Sequence, residues 1–198
     1  MSAFLGPIHF RMYEKIQSQE KLTKVIANLA VEKGWMSAEE AAAYVQEESR
    51  PLETIIDLAN IHGWLLGKIE DAESRYAALV TKLLKQDAER LEDMKRAAFA
   101  FGAETAAEES RPSALFNAMD NLMLDGMPCD GACMVIDSSD GSFTWELRLD
   151  VHRAFWREAG GDPANYFTLR DEVVAGFLSK SGKCVVTEDG HTYRFSAK

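Results

Sequence analysis

Residues 132–149 read ACMVIDSSDGSFTWELRL, and their alternation decides the fold of the C-terminal part of the chain. Asp140-Gly141 is a two-residue turn signal. Counting outward from it pairs Ile136 with Trp145, Met134 with Leu147 and Ala132 with Leu149, and puts Phe143 on the same apolar face. The other face then holds Cys133, Asp137, Thr144, Glu146 and Arg148, as an antiparallel sheet covered on one side requires. Asp189-Gly190 predicts a second hairpin, with Val186 opposite Tyr193 and Cys184 opposite Phe195 on an apolar face. Between the hairpins Asp150 can cap a short helix holding His152, Phe155 and Trp156, which Gly160-Gly161 stops. Asp162-Pro163 starts a longer helix through Leu169, Val173, Val174 and Phe177, since both residue types favour a helix start. The order is ββααββ.

Upstream of residue 125 the period changes from two to about three and a half. Ile8, Met12, Ile16, Thr23, Ile26 and Ala30 trace one helical stripe behind Pro7, and Gly34 ends it. Ser37 and Glu40 form a capping box for a short second helix. Pro51 opens a long third helix whose stripe runs Leu58, His62, Leu65, Ile69, Ala72, Tyr76, Leu79 and Leu83. Asp87 falls where the next core residue should be and predicts a break. Leu91, Met94, Ala98 and Phe101 make a fourth helix, and Leu115 to Leu124 a fifth. The fold class is therefore α+β: a helical bundle half (1–124) packed with an α+β half (125–198) in one unit. A helix of ~30 residues runs ~45 Å, and the third-helix stripe is long for the helices left to cover it. That predicts self-association as a homodimer.

The 198 residues carry 22 basic and 32 acidic side chains, a net charge of −10. This balance argues against nucleic acid or an anionic membrane surface as partner. No apolar run approaches the ~20 residues that span a bilayer, and the first ten residues lack the pattern of a signal peptide. Three cysteines are an odd number for a disulfide framework, so a reducing, cytoplasmic setting is expected. The chain contains no phosphate-binding glycine loop, no Gly-x-Ser-x-Gly elbow, no His-Glu-x-x-His and no Cys-x-x-Cys. No resident metal is expected, and no cofactor is named by any motif.

Chemistry then rests on a few side chains. Cys129 lies in a loop after Gly126 and Pro128, where a thiol can face a cleft. His152 follows the second strand of the first hairpin, so in the paired register both residues emerge at one end. Asp130 and Asp150 at that end could orient an imidazole, which makes Cys129 and His152 the candidate catalytic pair. His9, at the start of the first helix, and His62, inside the apolar stripe of the third, are candidate ligand-binding residues in the bundle's interior. Trp156 and Tyr166 could wall a ligand site. Arg170 lies between Leu169 and Val173 and, if buried, needs an anion from the fold or from a ligand.

The segments Phe4–His9 (FLGPIH), Ile61–Trp64 (IHGW) and Asp125–Asp130 (DGMPCD) resemble those of a family of uncharacterised proteins from anaerobic bacteria. The likeness extends to the surroundings of His152, Trp156, Gly160-Gly161-Asp162 and Leu169-Arg170. It implies no activity, but it marks His9, His62, Cys129 and His152 as places to look. The reading is a protein that binds a small molecule in a cleft between its two halves, with an enzyme using Cys129 and His152 as one form of it. The other class is a non-catalytic, dimeric interaction module.

Overall fold

The computed structural model describes residues 4–48, 50–106, 108–109, 111–139, 141–187 and 189–197. Among them are seven α-helices and four strands: α1 (Pro7–Glu32), α2 (Ala38–Ala42), α3 (Ile61–Gln86), α4 (Arg90–Glu104), α5 (Pro112–Asp120), β1 (Cys133–Ser138), β2 (Phe143–Leu147), α6 (Arg153–Glu158), α7 (Ala164–Phe177), β3 (Lys183–Thr187) and β4 (Thr192–Ala197). This is the α+β architecture that the change of period predicts. The break at Asp87 and the Ser37 cap are both present, with Ser37 Oγ accepting the Glu40 N–H at 3.1 Å.

Helix α3 begins later than expected. Pro51 leads into a short 3-10 turn, Leu52–Thr54, and the helix itself starts behind Asn60, whose side chain accepts the Gly63 N–H. Leu58 and His62 are consequently exposed, and the stripe begins at Ile61. From there Leu65, Ile69, Ala72, Tyr76, Leu79 and Leu83 are all buried within the chain itself, mainly against α1. The seam expected to recruit a second copy is thus covered by its own chain.

The sheet is antiparallel in the order β1-β2-β4-β3. In the first hairpin, whose tip residue Asp140 lies outside the described residues, Ser138 pairs with Phe143 and Asp137 with Thr144, as counted from the turn. The register then slips by one at Ile136, so Val135 pairs with Trp145 and Cys133 with Leu147. An extra residue in one strand is a β-bulge. It moves Cys133 from the expected polar face to the Trp145 side, and sends Met134 to the face of Glu146. In the second hairpin the turn is longer than two residues. Asp189 accepts the backbone N–H groups of His191 and Thr192 and the Thr192 hydroxyl, and Gly190 takes a φ of +77°. Thr187 therefore pairs with Tyr193 and Val185 with Phe195. Cys184 turns to the opposite face, beside Ser196, with its thiol donating to the Ala197 carbonyl at 3.7 Å.

The apolar sheet face carries Phe143, Trp145, Tyr193 and Phe195, and Phe116 of α5 stacks on Phe143 at 4.3 Å between centroids. One core cluster runs from Leu22 and Ile26 of α1 through α3, α4 and α7 to these strand residues. Helices α4 and α7 make the most intimate crossing. A Cβ on Gly102 would lie 2.0 Å from the Val173 carbonyl oxygen, and one on Gly176 would lie 2.0 Å from that of Phe99. Each glycine admits the other helix's backbone. The second, smaller cluster joins Met12 and Ile16 to Leu52, Ile61, Leu65, Ile69 and Leu124.

Candidate functional site

Asp150 sets the entrance to α6. Its Oδ1 accepts the N–H groups of His152 and Arg153, the capping role expected of it, and the His152 ring turns into the protein. Helix α6 then lies in step with α3: His152 meets Glu73, and Trp156, one turn on, meets Tyr76 edge-on at 5.9 Å. Helix α7 supplies two further groups one turn apart. The Tyr166 ring stacks on His152 with centroids 3.5 Å apart, and Arg170 reaches the residue at the other end of the imidazole, Asp125.

Asp125 directly follows the core residue Leu124. The chain turns back at Gly126, where φ is +73° and a Cβ would come within 2.7 Å of Asp130 Oδ2. Asp130 closes that turn by accepting the Met127 N–H at 2.7 Å; its carboxylate is spent on the loop and does not orient an imidazole. The Asp125 carboxylate is left facing inward.

The result is a buried chain of charges. His152 Nδ1 is 3.0 Å from Glu73 Oε2, its Nε2 is 3.4 Å from Asp125 Oδ1, and Arg170 Nη2 is 3.6 Å from Asp125 Oδ2. A neutral imidazole has only one N–H, so two carboxylates at its two nitrogens call for both to be protonated. Burial opposes that charge, but Glu73 and Asp125 outweigh it and push the His152 pKa up to about 9. Asp125 is likewise opposed by burial, yet Arg170, His152 and Lys15 hold it well below the usual carboxylate range. Glu73 Oε1 and Arg170 Nε are buried with no hydrogen-bond partner.

Asp125 also lines a cleft of about 260 Å³ between the two halves of the chain. Its walls are Ile8, Arg11, Met12 and Lys15 of α1, Phe116, Asn117 and Asp120 of α5, the 126–132 loop, and Cys133 and Val135 of β1. Lys15 Nζ and Arg11 Nη2 both lie 2.8 Å from Asp120 Oδ2. The Lys15 side chain is only 9 % exposed. Cys133 faces this cleft because of the bulge; burial, then Asp125 and Asp120, push its thiol up to about 11, so it is neutral.

The sequence-predicted residues are distributed as follows. His152, Tyr166 and Arg170 belong to the buried chain, and Trp156 packs beside it with no exposed surface. Cys129 is exposed in the turn Pro128–Asp130 and is not among the groups that His152 contacts. His9 is buried at the start of α1, where Nδ1 accepts the Gly6 N–H at 2.8 Å. The lone pair of that nitrogen is spent on the backbone. His62 is exposed, with its ring 5.7 Å from that of His9. Among the described residues no three His, Cys, Asp or Glu side chains are grouped to hold a metal ion. Glu73, Asp125, Lys15, Arg11 and Asp120 escaped the sequence reading. Glu73 carried a usable signal: it lies four residues after Ile69 and three before Tyr76, inside the apolar stripe, where a carboxylate demands a buried partner.

Comparison with protein-family models, with curated proteins and with solved structures found no match.

Proposed function

We propose that this protein binds a small organic molecule in the cleft between its helical and sheet halves. The observation that carries the reading is Lys15: an ammonium more than nine-tenths buried, yet opening on a cavity that α1, α5, the 126–132 loop and β1 build together. Charged side chains are almost never buried without a specific partner; Lys15 has one in Asp120, and the pair opens together on a concave site with a few convergent polar groups, where small ligands bind. Binding is favoured over thiol catalysis. His152 is 3 % exposed with both nitrogens engaged, and the cleft's own thiol, Cys133, is held neutral. The three unpaired cysteines suit a reducing, cytoplasmic setting.

A thermal-shift screen of a small-molecule library against the wild type and Asn117→Trp tests this. Asn117 is an exposed α5 position on the cleft wall, so an indole there fills the cleft without entering the core. Compounds that stabilise the wild type should lose their effect in the variant. An empty screen, or equal stabilisation of both proteins, overturns the reading.

A second reading, an interaction module that pairs with a copy of itself, draws on β1. That strand is at the sheet edge, and Val135 and Ile136 are 48 % and 52 % exposed, the features that invite strand pairing. Sedimentation giving a monomer at tens of micromolar would remove it.

A further inference from the structure

We propose that the chemical group this cleft recognises is a carboxylate on a small apolar body, seated on Lys15 and Arg11 where Asp120 now sits. The inference rests on the small-molecule reading above and names its ligand class.

The internal carboxylate of Asp120 already marks the position: one of its oxygens takes both cations at 2.8 Å. An ammonium has three donors, and among the described residues the one ion-pair partner of Lys15 is Asp120. Donors therefore remain for a second acceptor at the same spot.

The local charge does not oppose an anion. Arg11, Lys15, His152 and Arg170 stand with Glu73, Asp120, Asp125 and, in the loop beside Gly126, Asp130, so the surroundings of the cleft are balanced on a chain of net charge −10. Asp120 and Asp125 are each claimed by two cations, and the Asp130 carboxylate accepts the Met127 N–H.

The rest of the cleft asks for an apolar body. Ile8 of α1 and Val135 of β1, each about half exposed, line it together with Phe116 and Met127. The volume of about 260 Å³ gives room for a molecule of about ten non-hydrogen atoms.

Calorimetric titration with phenylacetate and hexanoate tests the proposal, with phenylacetamide, hexanamide and phenethylamine as controls of matched size. Each acid should bind about tenfold or more tightly than its amide, since the bonds at stake are charge-assisted, and binding should weaken with salt. Lys15→Met should remove that preference. Arg11→Met, at a partly exposed position, should cost several-fold and keeps the test available if Lys15→Met does not fold. Asp120→Asn should tighten acid binding several-fold by discharging the internal competitor. Amides that bind as well as acids, or acid binding unchanged in Arg11→Met, overturn the proposal. If the amine or the amides bind and Asn117→Trp abolishes it, the cleft remains a ligand site and the carboxylate assignment fails. If no probe of any class binds, both readings fall.

Discussion

His152 is charged inside the protein, and its charge links stability to pH. Its ordinary pKa of 6.5 applies to the unfolded chain, and about 9 to the folded one. A raised folded pKa stabilises fully below pH 6.5 and is lost as pH climbs through 9. Asp125 works in the other direction: held below its ordinary value, it stabilises at neutral pH and stops doing so in acid. Urea midpoints should therefore fall between pH 6.5 and pH 9.5, by about 3 kcal/mol in unfolding free energy. His152→Gln should lose most of that fall and keep only the smaller one that the raised Cys133 thiol contributes near pH 9; a flat wild-type profile would show that the proton is held elsewhere. At this scale the sequence was half legible. Arg170 between Leu169 and Val173 announced a buried cation in need of an anion, but nothing local named Asp125, which reaches it only through tertiary packing. The proposed partnership of Cys129 with His152 came from counting residues along a hairpin. Counting says where the backbone emerges, and the inward turn of the imidazole onto Glu73 is decided by α3, which the count does not include.

Helices α4 and α7 cross where two glycines face two carbonyl oxygens, and the element scale is where that contact can be tested. Gly102→Ala or Gly176→Ala would set a methyl 2.0 Å from backbone oxygen, which only separation of the helices relieves. Each should destabilise by about 3 kcal/mol, the upper part of the range for overpacking. Gly67→Ala, in the middle of α3 with nothing within 4 Å of the added Cβ, should instead stabilise by roughly 0.5–1 kcal/mol through helix propensity. Denaturant titration of the three variants checks both signs. Element type and order were readable because periods of two and of three and a half are local properties. Registers were not, and the reason is specific. Asp189 was read as half of a two-residue turn, whereas its carboxylate organises a longer loop by taking two backbone N–H groups and a hydroxyl. Ile136 alternates perfectly in sequence, and a bulge leaves no mark on alternation until the partner strand is placed. One residue of slip flips a face, and that slip is what brings Cys133 to the cleft.

At the scale of the whole molecule, the larger core cluster draws on both halves of the chain, so the C-terminal half shares its core with the helical half, which keeps only the smaller cluster to itself. Far-UV ellipticity, dominated by α1, α3 and α4, and hydrogen-exchange protection of the β2–β4 amides should be lost at the same denaturant concentration. Separate transitions would mean two folding units. The strand order β1-β2-β4-β3 has a consequence in time as well. Each hairpin closes over a few residues and can form within microseconds, but the pair that unites them, Trp145 with Tyr193, is separated by both α6 and α7. Closing that distance in a flexible chain loses entropy before any contact rewards it. The central strand pair of this sheet is therefore expected to be its slowest to assemble. Before it forms, β2 and β4 each present an unpaired edge, and an unpaired edge is what a neighbouring chain can pair with.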